Sequence, residues 1–126
     1  MPAGRNVERI SVVVHRGKQI LVQDFSRLTP GEEFRDSIAK ARQHIAGQPP
    51  KSVLSLFDAT GARYDTEVVG ALKVYARDNE PHIKASAVVG IEGLLRIGLT
   101  VVAGFSGRTF KTFKDRASAM DWLVEQ

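Results

Sequence analysis

Residues 53–72, VLSLFDATGARYDTEVVGAL, change character halfway through, and that change decides how the chain is read. An apolar run ends at Asp58, a short loop carries Thr60 and Gly61, and from Asp65 onward apolar residues recur at helical spacing: Val68, Leu72 and Tyr75, with Val69 and Ala76 beside them. That is a strand turning a corner into a helix, with Asp65 as the expected N-cap. Within the corner, Asp58 and Thr60 are suited to hydrogen-bond the loop backbone. Gly61 is suited to a positive φ angle.

The same alternation of strand and helix continues in both directions. Upstream, ISVVVHRGKQILVQDF (residues 10–25) places period-two apolar positions on either side of Arg16-Gly17, which predicts a hairpin. Thr29, Pro30 and Glu32 then read as N-cap, N1 and N3 of a capping box. Phe34, Ile38, Ala41 and Ile45 form the stripe of that helix, and Gly47 with Pro49-Pro50 ends it. A strand is expected over 52–58. Beyond the second helix, Pro81 precedes a strand over 82–90, with Ile83, Ala85, Ala87 and Val89 on one face and Lys84 and Ser86 on the other. A third helix over 92–103, a short strand over 109–112 and a last helix over 114–124 complete the chain. Ala117, Met120, Leu123 and Val124 are the expected apolar positions of the last helix.

The resulting order is β-β-α-β-α-β-α-β-α. It predicts an α/β domain with a mixed, mostly parallel sheet and an N-terminal hairpin. Strands covered on both faces read as continuous apolar runs. Here Gln23, Ser55, Lys84 and Ser86 interrupt them, so helices are expected mainly on one face, with the opposite face partly wetted. A single domain over 1–126 is expected, with 1–7 as a flexible tail.

Composition narrows the function classes. Eighteen Lys and Arg against fourteen Asp and Glu leave +4, and these charges are mostly dispersed rather than gathered on one element, which argues against nucleic acid. Without cysteine there is no thiol nucleophile and no cysteine-based metal site. His15, His44 and His82 lack metal-ligand spacing, and no nucleophile elbow or phosphate-binding glycine loop occurs. Asp24 and Asp58 form an acidic pair without a positioned base, so no catalytic residue, metal or cofactor is assigned. MPAGRNVE lacks the apolar core of a signal peptide, and the longest uncharged run, 97–107, is far short of the ~20 residues of a membrane helix. A cytoplasmic protein, with peripheral membrane association in view, is the expectation.

The N-terminal hairpin, the repeated strand-helix turns, the strand ending VLSLFDATG and the later KASAVVG strand together resemble the STAS/SpoIIAA-like family. The likeness is nearest to its small bacterial STAS/Sec14-like branch and runs over about residues 8–124. The resemblance implies a strand-helix superhelix and a binding role without catalysis. It also implies a switch loop at Asp58-Ala59-Thr60-Gly61, with Thr60 in the phosphoacceptor position and Asp58 and Gly61 flanking it. In this sequence Ala62, Arg63 and Tyr64 intervene before the Asp65 cap, whereas signalling members begin the helix almost at the acceptor.

The third helix carries a second signal. In EGLLRIGLTVVAG only Glu92, Arg96 and Thr100 are polar, at i, i+4 and i+8, so its apolar arc is far wider than one sheet contact needs. Leu94, Leu95, Ile97, Val101, Val102 and Phe105 are therefore candidates for an apolar ligand site or a homodimer contact. Gly93, Gly98 and Gly104 weaken the helix on its own. In the following FSGRTFKTFKDR, Arg108, Lys111 and Lys114 alternate with phenylalanines and are candidates for a membrane surface. The same text suits a lysine-guarded edge strand. Two functions follow as expectations: a binding domain for a small apolar or lipid-like ligand, or a protein-protein signalling module controlled at the 58–61 loop.

Overall fold

The computed structural model of the chain describes residues 8–126; the tail expected over 1–7 lies outside them. Arg16 and Gly17, both at positive φ (51° and 79°), turn β1 (Ile10–His15) back antiparallel onto β2 (Lys18–Asp24). The chain then repeats one unit: α1 (Glu32–Ala46) leads to β3 (Val53–Asp58), and α2 (Thr66–Asn79) with a single 3-10 turn leads to β4 (Ile83–Val89). Next, α3 (Leu94–Ser106) leads to β5 (Lys111–Phe113), and α4 (Arg116–Leu123) closes the described chain. β2, β3, β4 and β5 are parallel neighbours in chain order.

That order explains the layering. Parallel crossovers are right-handed, so a sheet that always adds its next strand on the same side keeps every crossover helix on one face. α1 and α2 accordingly pack their stripes onto that face with Leu21, Phe25 and Val53, and α3 lies beside α2. Among the described residues α4 crosses to no further strand and is free to take the opposite face. It does so, burying Ala119, Leu123 and Val124 against Ile20, Val22, Leu54, Leu56 and Ala87. The face expected to be wet is a second core.

Four local expectations are corrected. The Thr29 capping box does not form. The helix starts at Glu32 with Gly31 (φ 145°) as N-cap and no side-chain cap bond. The preceding segment is held elsewhere, because Arg27 N–H donates to the Thr60 carbonyl and the Leu28 carbonyl accepts from Arg63 N–H, at 2.8 and 2.9 Å. In α4, Ala119 rather than exposed Ala117 meets the sheet. Ile83 packs with the α1/α2 core while Ala85 and Ala87 pack on the α4 side, the register between β3 and β4 shifting at Val53/Leu54. Finally, Gln23, Ser55 and Ser86 are not on a wetted face; they are buried beneath the three crossover helices. Lys84 alone of that set is exposed.

Candidate ligand-binding site

The carboxyl edge of the sheet is where α/β folds usually hold ligands, in the crevice left where strand order reverses. This sheet does not reverse, and its carboxyl edge is filled by the protein's own side chains. Asp24 and Asp58 are register partners at the ends of β2 and β3. Each makes the same short turn: Asp24 Oδ1 accepts from the Ser26 N–H and hydroxyl (3.1 and 2.5 Å), and Asp58 Oδ1 accepts from the Thr60 N–H and hydroxyl (2.9 and 2.6 Å). Arg116, at the first turn of α4, reaches between them, with Nε 2.8 Å from Asp58 Oδ2 and Nη2 3.1 Å from Asp24 Oδ1.

The D-A-T-G loop is thereby the corner it resembled by composition. Gly61 takes φ 66°, and the helix begins only at Thr66, capped by Asp65, whose carboxylate accepts from Val68 N–H at 2.9 Å. Gly90 lies so close that a Cβ there would sit 2.7 Å from Thr60 Cα. Thr60 is exposed, but its hydroxyl proton is committed to Asp58. Among the described residues no group of three or more His, Asp or Glu side chains is placed to hold a metal ion.

The open space lies instead on the sheet face, under α2 and α3. Side chains on that face of β2, β3 and β4 are bulky at Phe57 and Val88, but Ser55 and Ser86, paired across β3 and β4, are too small to reach the helices. Ala76 on α2 and Gly98 on α3 add little from above. The result is a cavity of about 110 Å³, partly open to solvent. Its walls are mostly apolar, with Phe25, Phe34, Val68, Leu72, Leu95 and Leu99 among them.

One side of the cavity is polar and ordered. Tyr75 donates its hydroxyl to Gln23 Oε1 at 2.6 Å, and Gln23 Nε2 donates to Ser55 Oγ at 2.8 Å. Burial pushes the Tyr75 phenol well above its ordinary value, so it stays a neutral donor. Arg108 enters from the loop after α3, donating from Nη2 to Ser86 Oγ and from Nη1 to the Ala76 carbonyl at 3.3 Å. Its guanidinium lies 4.8 Å from the Phe110 ring centre. Burial pushes it down to about 10, and neighbouring Tyr75 and Glu80 offset this only in part. It remains charged at neutral pH.

No family model, curated protein or solved structure matches the chain.

The sequence candidates on α3 divide between two surfaces. Leu95 and Val102 face inward with Leu99, at i, i+4 and i+7. Leu94, Ile97, Val101 and Phe105 form an outer stripe, with Leu94 70% and Ile97 61% exposed. Lys73 and Arg77 of α2 stand over the Phe105 ring at 4.7 and 5.5 Å, so the stripe is bordered by cations. Tyr64 ties the first turn of α3 down, donating to the Leu94 carbonyl at 2.6 Å. Lys111 and Lys114 are exposed at the β5 edge, as an edge guard requires. Arg108 does not join them; it turns into the cavity.

Gln23, Ser55, Tyr75 and Ser86 were not among the sequence candidates. A usable signal was present. Ile20, Val22, Leu54 and Leu56 leave apolar residues on both faces of β2 and β3, so the polar interruptions had no wet face to occupy.

Proposed function

We propose that this chain is a non-enzymatic binding domain that takes up a small, largely apolar molecule in the cavity beneath α3. The observation that carries the reading is the cavity itself, a partly open and largely apolar pocket with a few convergent polar groups, the usual form of a small-molecule site. Its volume is somewhat below the ~150 Å³ that admits benzene in an engineered apolar cavity. A short chain fits with α3 as it stands. The one-sided run of crossovers supports the likeness to STAS/SpoIIAA-like domains. The outer stripe of α3, bordered by Lys73 and Arg77, supports exchange of the ligand at an anionic membrane surface.

The test is denaturing extraction of the natively purified protein followed by mass spectrometry. A defined organic molecule, released in near-stoichiometric amount, is the expected result. Ala76→Leu, which places three more carbons in the cavity, should come out empty while unfolding at or above the wild-type temperature. An empty wild-type protein that also fails to take up small hydrophobic probes in solution would remove the proposal.

A further inference from the structure

Resting on the cavity reading, we infer that the ligand is an amphiphile with a single carboxylate head, received by Arg108 together with the Ser55 and Ser86 hydroxyls.

Donors outnumber acceptors at the polar side of the cavity. Arg108 has five N–H donors and uses them on Ser86 Oγ and the Ala76 carbonyl. Ser86 Oγ accepts from Arg108, and Ser55 Oγ accepts from Gln23. Among the described residues neither serine hydroxyl has an acceptor for its own proton. Gln23 is already spent: its amide donates to Ser55 Oγ and its carbonyl accepts from Tyr75. Two hydroxyl protons and the remaining guanidinium N–H groups are therefore available to a group that only accepts.

Charge points the same way. Every other arginine ion pair in the described chain lies elsewhere, and Arg108 has no carboxylate within salt-bridge distance among the described residues. A largely buried cation with no carboxylate in contact is costly, and a bound anion would relieve that cost. One guanidinium neutralises one negative charge. A phosphate monoester would bring a second charge into apolar walls with no cation to meet it, whereas a carboxylate is matched in charge, planarity and acceptor character. The apolar walls then house the tail.

Hexanoate and 1-hexanol, which share a six-carbon chain, separate head from tail. Their affinities can be read by NMR titration of the methyl groups of Leu95, Leu99 and Val102. Hexanoate should bind roughly tenfold or more tightly than hexanol, the range expected of a charge-assisted hydrogen-bonded pair. Arg108→Gln should erase that advantage and leave hexanol binding unchanged, and Arg108→Lys should restore part of it. Equal affinities in the wild type, or an advantage that survives Arg108→Gln, would overturn the carboxylate inference and leave the cavity reading intact. Binding of neither probe would overturn both. If Arg108→Gln does not fold, Ser86→Ala serves in its place. It should narrow the advantage of hexanoate, and an unchanged ratio counts against the inference.

Discussion

Asp58 shows how one buried carboxylate can hold a loop and a helix in place. Its carboxylate is buried, yet every strong hydrogen bond it makes serves the corner or holds α4 to the sheet edge. Arg116 bridges it to Asp24, and removing Arg116 would leave a buried carboxylate facing a second one. Arg116→Leu should therefore cost about 1–3 kcal/mol, less than for a fully buried pair because the guanidinium is partly exposed, as measured by urea denaturation. Asp24 adds a pH signature. Burial works to raise its pKa, but the two Ser26 hydrogen bonds and the charges of Arg116 and Arg9 outweigh it and hold the carboxyl below 3.8. A group with a lowered folded-state value stabilises the fold fully above its unfolded value and loses that contribution as pH falls through the folded one. Asp24→Asn should accordingly be less stable than wild type at neutral pH, with the gap closing as the pH drops below 3.8. A gap independent of pH would contradict the assignment.

At the scale of elements, two helices with good N-cap sequences behave differently. Asp65 caps α2 as its sequence suggests, while Thr29 is exposed and caps nothing because residues 25–28 are tied to the β3–α2 loop. Asp65→Ala should thus cost about 1 kcal/mol and Thr29→Ala less than about 0.5 kcal/mol in thermal unfolding. Similar losses at both sites would mean that the box forms after all. α3 departs from its sequence reading in another way. Its apolar surplus has two destinations, and the inner row of Leu95, Leu99 and Val102 lines the cavity while the outer row stands in solvent.

The molecule as a whole is wound in one direction, and that winding places the cavity. With three crossovers on one face and a terminal helix on the other, both faces are covered, and the least filled volume falls where Ser55 and Ser86 meet α2 and α3. No described helix is long and apolar enough to cross a membrane. The outer stripe of α3 touches little of the rest of the chain, so Ile97→Glu should leave unfolding within about 0.5 kcal/mol of wild type. A larger loss would mean that the stripe is covered by protein.

Much of this was legible in residue order. The hairpin, the alternation of strand and helix, the Asp65 cap and the corner at Gly61 each follow from local periodicity, turn chemistry and backbone sterics, which act over a few residues and are written in the chain. The direction in which a polar strand residue points is different. Gln23, Ser55 and Ser86 carry the same alternation whether they meet water or a cavity, and only the path of α4 across the opposite face excludes water as the answer. Arg108 likewise sits in a run of lysines that guard an edge, and its text is the same pointing out or in. The contact with Ser86 spans 22 residues and that between Tyr75 and Gln23 spans 52, separations at which local pattern carries no information and packing alone chooses the partner.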